Sequence, residues 1–130
     1  MSLSDISAPM FLLGTETDHV APWKSVYKLV SLTHNELTFA LTSGGHNAGV
    51  VSGPQHPRRR YRLRVRKPGG KYIEPSQWMA STEPKQGSWW PAWNAWLDER
   101  TSSKIRPPQL GAPRRGLKPI REAPGEYVFG

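Results

Sequence analysis

An α/β fold is predicted by three observations in the first third of the sequence. Met10, Phe11, Leu12 and Leu13 form an uninterrupted apolar run between Pro9 and Gly14. Trp23, Val26, Tyr27 and Val30 then recur at i, i+3, i+4 and i+7, the period of a helix with one apolar face. Leu37, Phe39 and Leu41 alternate with Thr38, Ala40 and Thr42, the period of a strand. Strand, helix, strand most often means a right-handed crossover between parallel neighbours, which brings the carboxyl ends of both strands to one edge of the sheet.

The first run is short and bounded by breakers, as expected of a strand covered on both faces in a parallel sheet. Pro22 suits a first helical turn, because its fixed φ fits and no N–H is lost. His34-Asn35 closes that helix after about three turns. The second strand stops at Gly44-Gly45. Arg60, Arg62, Arg64 and Arg66 then alternate with Tyr61, Leu63 and Val65, predicting a basic edge strand whose cationic face is solvated and discourages strand pairing. Pro68-Gly69-Gly70 ends it. Gly87-Ser88 offers an N-cap to a helix in which Trp89, Trp93, Trp96 and Leu97 share a face, with Pro91 tolerated in its first turn. From Thr101 to Gly130 nine of 30 residues are Pro or Gly, so the expected organisation is a body over residues 1–100 and an extended tail over 101–130. Met1-Ser2-Leu3 is assigned no element.

Composition limits the possibilities. The 130 residues allow one domain at most. Residues 1–51 contain 15 of the 25 Val, Ile, Leu and Phe side chains, so the core is expected there. Charge divides the other way: residues 1–57 carry two bases and four acids, and residues 58–130 carry 16 bases and six acids. Any attraction to a polyanion therefore belongs to the second part. No cysteine is present, which excludes disulfides, thiolate metal sites and a Cys nucleophile. No apolar run approaches the ~18 residues of a membrane span, and the first twenty residues lack a signal-peptide pattern. A cytoplasmic protein without membrane attachment is expected.

The chemistry-bearing residues follow the two strands. Thr15-Glu16-Thr17-Asp18-His19 comes after the first, and Gly44-Gly45-His46-Asn47 after the second. An acid and then a histidine, in that chain order, match the second and third members of an α/β-hydrolase triad. A carboxylate there fixes the imidazole tautomer and stabilises the imidazolium, leaving Nε2 to take a proton. Asp18 and His46 are the candidate pair, and Glu16 is the alternative acid. His46 with His19 could form half a metal site, but no cluster has ligand spacing, so neither metal nor cofactor is expected. Ser43 and Ser52 flank the histidine loop without a strand-turn-helix elbow and read as turn hydroxyls.

The strings GTETDHVAPWKSVYKL at 14–29, LTSGGHNAGVVS at 41–52 and GSWWPAWNAWL at 87–97 resemble the C-terminal part of polyhydroxyalkanoate synthases, acyltransferases that polymerise 3-hydroxyacyl-CoA. The likeness runs from about Asp5 to APGEYV at 123–128. It implies that residues 1–100 are the C-terminal portion of an α/β-hydrolase-type catalytic domain, with Asp18 as triad acid and His46 as base. The family's nucleophile is a cysteine in an upstream elbow that this chain does not contain. The resemblance therefore implies no turnover by this chain alone. It also implies 3-hydroxyacyl-CoA and polyester as substrate and product of the parent enzyme, and the remainder of a synthase or another synthase subunit as partner. The polymer granule is a further candidate location. A sheet this small exposes an apolar edge, so a homo-oligomer is expected.

Two features fit that reading less directly. The tryptophan stripe reads as core or subunit contact; if exposed, it suits a module that binds a synthase subunit or the granule. The run Arg58 to Lys71 holds eight bases in 14 residues, a density able to bind phosphates. No nucleic-acid motif surrounds it, and a solvated cationic edge is the expected role.

Overall fold

The computed structural model describes residues 2–130, which form two compact units, one up to Arg100 and the other Thr101–Gly130. The first is built on a four-stranded mixed sheet of order β1-β2-β3-β4. Strand β1 (Met10–Thr15) runs parallel to β2 (Leu37–Thr42), with Met10 opposite Leu37 and Thr15 opposite Thr42. Strand β3 (Arg60–Arg66) is antiparallel to β2, and β4 (Lys85–Gln86) pairs with the start of β3. The crossover between β1 and β2 is helical, as its period predicts, but falls into α1 (Trp23–Tyr27) and α2 (Leu29–Leu32). At Lys28 the N–H bonds back to Ser25, and Ser31 N–H bonds back to Lys28. These i→i−3 bonds tighten the helix locally towards 3₁₀ geometry.

Alternation along β2 sends Leu37, Phe39 and Leu41 to one face. There they join Trp23, Tyr27, Val30 and Trp78 in the buried core. The Phe39 ring meets Tyr27 and Trp78 edge-on, with centroids 4.9 Å apart in each case, a favourable arrangement for aromatic quadrupoles. Trp78 comes from α3 (Pro75–Ser81), a helix the sequence reading did not assign. Gly14 lets α1 approach the sheet: a Cβ there would lie 3.0 Å from Trp23 Cβ and 3.2 Å from the Phe39 ring. The opposite face packs on α4 (Trp90–Asp98), where Phe11 contacts the rings of Trp89 and Trp96 at 6.1 and 5.8 Å. The N-cap of α4 is Trp89, one residue beyond the expected Gly87-Ser88, and makes no side-chain cap bond; Ser88 Oγ nevertheless accepts the Trp90 N–H at 3.1 Å.

Burial corrects two expectations. The strand covered on both faces is β2, whereas Met10 to Leu13 of β1 are half-buried at the end of the sheet. The arginine face of β3 is solvated only in part: Arg60 and Arg64 are exposed, but Arg62 and Arg66 are half-buried. Arg62, Arg64 and Arg66 stand opposite Leu41, Phe39 and Leu37, and directly opposed residues project from the same face. Their guanidinium groups therefore reach the helices over the core. Arg66 bonds the Val30 carbonyl, Asn35 O at 2.9 Å and Thr33 Oγ1 at 3.2 Å, while Arg62 Nε reaches Met79 O at 3.4 Å.

Met1 lies outside the described residues; Ser2 caps a 3₁₀ turn over Leu3–Asp5. In the second unit, 3₁₀ turns over Pro113–Arg115 and Tyr127–Phe129 interrupt irregular chain, and an antiparallel bridge joins Ala112 to Leu117. Among the described residues no helix is long and apolar enough to cross a membrane.

Candidate active site

The parallel register of β1 and β2 places two loops side by side. Pairing continues past the strands, with Glu16 N–H on Thr42 O at 2.9 Å and Thr17 N–H on Gly44 O at 3.2 Å. Asp18 therefore emerges beside the turn that carries His46, and its Oδ2 lies 2.9 Å from His46 Nδ1.

The carboxylate is held from three further directions. Oδ1 accepts the backbone N–H groups of Val20 at 2.9 Å and Ala21 at 2.8 Å, and Oδ2 also accepts the Thr15 hydroxyl at 3.2 Å. The Ala21 N–H is the strongest influence holding the Asp18 carboxyl well below the usual carboxylate range. Burial opposes it, and His46, Val20 and Thr15 reinforce it. The Asp18 side chain is 7% exposed and that of His46 is 50% exposed. An ionised carboxylate only accepts, so a neutral His46 carries its proton on Nδ1 and presents the Nε2 lone pair.

Glycines and tryptophans shape the histidine loop. Gly44 has φ +105°, and a Cβ there would meet the Arg59 guanidinium at 2.5 Å. Arg59 bridges Ser43 O at 3.3 Å and Ala48 O at 2.6 Å. A Cβ on Gly49 would lie 2.6 Å from Thr15 Cγ2, so this glycine lets the loop rest on β1. The indole N–H groups of Trp89 and Trp90 donate to Gly49 O at 3.2 Å and Val50 O at 3.0 Å, fastening the loop to the start of α4.

The other candidates do not join the pair. Glu16, the alternative acid, is taken by Arg60 at 2.8 Å, with Arg62 at 3.9 Å. His19 is exposed. Ser43 Oγ accepts the Arg60 N–H at 3.2 Å, and Ser52 is wholly buried with its carbonyl bonded by Ser88. Among the described residues no three His, Asp or Glu side chains gather as metal ligands. Sequence reasoning missed Thr15, Arg59 and Gly49 as site residues. Of these only Thr15, three residues before Asp18, offers a local signal, since a hydroxyl at that spacing can turn back on the carboxylate.

No protein-family model matches the chain. Individual relatives do. The poly(3-hydroxyalkanoate) polymerase subunit PhaC of Cupriavidus necator is 35% identical over 129 residues, covering 98% of this chain and 21% of the relative. The subunit of the same name from Rhizobium meliloti is 35% identical over 128 residues, covering 98% and 20%. Poly(3-hydroxyalkanoate) polymerase 2 of Ectopseudomonas oleovorans is 27% identical over 129 residues, covering 99% and 22%. The chain thus spans about one fifth of the length of the curated relatives it matches. By sequence, this chain is a homologue of the C-terminal part of the poly(3-hydroxyalkanoate) polymerases.

Proposed function

We propose that the chain is the C-terminal portion of a polyhydroxyalkanoate synthase of α/β-hydrolase type, donating the acid and base of an acyltransferase triad whose nucleophile lies elsewhere. The observation that carries this reading is the 2.9 Å contact between His46 Nδ1 and Asp18 Oδ2 on an imidazole whose other side is open. His46 Nε2 takes the proton of a thiol supplied by the rest of the synthase. The thiolate attacks the thioester carbonyl of 3-hydroxyacyl-CoA, and CoA leaves with that proton. Nε2 then takes the proton of a 3-hydroxyl, whose oxygen attacks the enzyme-bound acyl group; an ester forms and the thiol is released. Asp18 keeps the tautomer and stabilises each imidazolium. With no cysteine of its own, the chain does not turn over alone. On this reading it works in the cytoplasm beside its polyester product, and the unpaired outer edge of β1 receives either the rest of the synthase or a second copy.

The test is to co-express the chain with a synthase truncated before its acid motif. Polymer synthesis that returns, and that requires Asp18 and His46, supports the reading. A second reading, a non-catalytic module that binds a synthase subunit or polymer granule, is favoured by Trp93 on α4, which is 38% exposed. Binding to the truncated synthase without restored synthesis would select it.

A further inference from the structure

At the other end of the sheet, β3, the turn after it and α3 enclose a cleft of about 470 Å³, a volume suited to a small ligand. Its walls include Arg64, Arg66, Lys67 and Lys71 with the Tyr72 ring at the side, and no Asp or Glu lines it. The partners of these cations are mostly neutral. Arg64 Nη1 meets Ser81 Oγ at 3.1 Å, and Arg66 spends its terminal nitrogens on Val30 O, Thr33 Oγ1 and Asn35 O. Arg66 Nε is buried with no acceptor. Lys67 alone faces a carboxylate, Glu36 at 3.2 Å. Lys71 is exposed. Glu74, at the N-cap of α3, acts on Tyr72 but is not part of the wall.

Four cations around one cavity with a single carboxylate partner, Glu36 on Lys67, repel each other, and an anion between them relieves that repulsion. We propose that this cleft binds a phosphate-bearing small molecule, its phosphate oxygens on Arg64 and Lys71 and any flat ring it carries on Tyr72. Guanidinium forks match phosphate geometry, and Tyr72 is 42% exposed, which leaves a face for stacking. A long polyanion fits less well, because three further bases of the run, Arg59, Arg60 and Arg62, are already engaged. Arg59 holds loop carbonyls, and Arg60 and Arg62 hold Glu16. The site is separate from the Asp18–His46 pair. Arg66 is opposite Leu37 at the start of β2, and five residues of strand, about 17 Å, separate that end from the other. The inference does not rest on the proposed synthase role.

Isothermal titration of the full chain at low salt with inorganic pyrophosphate and with ADP tests it. Saturable one-to-one binding is expected, weakened about tenfold by Arg64→Gln or Lys71→Gln, each of which removes one charge-assisted contact. Arg58→Gln, equal in charge change but outside the cleft, should leave binding as it was. Tighter binding of ADP than of pyrophosphate, levelled by Tyr72→Ala, would identify a nucleotide; equal affinity would identify phosphate chemistry alone. No saturable binding of either ligand, or equal weakening by Arg58→Gln, would overturn the proposal. Circular dichroism of the folded Lys71→Gln variant keeps a null result interpretable, since Lys71 is on the surface.

Discussion

Thr15, the last residue of β1, donates its hydroxyl at 3.2 Å to Oδ2 of Asp18, the same oxygen that faces His46. Strand and loop are thereby locked at the point where the carboxylate must be fixed, because Thr15 is itself buried. Thr15→Val keeps the shape and removes the donor. We expect a loss of about 1 kcal/mol in urea unfolding and an upward move of the Asp18 carboxyl titration followed by carbon NMR, with Thr15→Ser recovering most of both.

The depressed acidity of Asp18 makes stability depend on pH. The folded state holds this carboxyl below its ordinary range, so the unfolded chain binds the proton more readily and stability rises with pH. Its contribution is complete above the unfolded carboxylate value near ~4 and fades as pH falls towards the lower folded value. Denaturation midpoints of the wild type and Asp18→Asn should differ most at neutral pH and converge in acid. A constant gap down to the lowest accessible pH would contradict the assignment.

Gly49 has no room for a side chain, since a Cβ would meet Thr15 Cγ2 at 2.6 Å and Gly45 O at 2.9 Å. Gly49→Ala should push the histidine loop off β1 and lengthen the Asp18–His46 contact. Overpacking of this kind costs about 1–3 kcal/mol, and NMR titration should show Asp18 moving towards an ordinary carboxylate.

Arg66 ties the end of α2 to β3 through three oxygens. Arg66→Met preserves the apolar stem but leaves Val30 and Asn35 carbonyls without their donor, a loss of about 2–3 kcal/mol in chemical denaturation. Arg66→Lys should recover only part, because an ammonium cannot span the same three acceptors. Arg58→Gln should be neutral.

Arg66 also shows how far the sequence could be read. An uninterrupted apolar run suffices for β1 and local periods for β2, β3 and α4, because each is written within a few consecutive residues. Alternation on β3 separates arginines from Leu63 and Val65 but does not say which set faces the core. That is decided by the unsatisfied oxygens of Val30, Thr33 and Asn35, more than thirty residues away. Helix α3 is hidden because Trp78 is its one fully buried residue, too little for a period to register. The meeting of Asp18 with His46 follows from the parallel crossover. The supports from Arg59, Trp89 and Trp90 arise through tertiary packing alone, and no spacing announces them.

The central claim is that His46, oriented by Asp18, serves a nucleophile outside this chain. Its most direct test is the rate of CoA release from 3-hydroxybutyryl-CoA by the purified chain, alone and mixed with a synthase truncated before its acid motif. The account predicts no release by the chain alone and release by the mixture. It further predicts that His46→Ala lowers the mixture's rate by about 10³-fold or more, and Asp18→Asn nearly as much. Release by the chain alone, or by a mixture indifferent to His46→Ala, would contradict it.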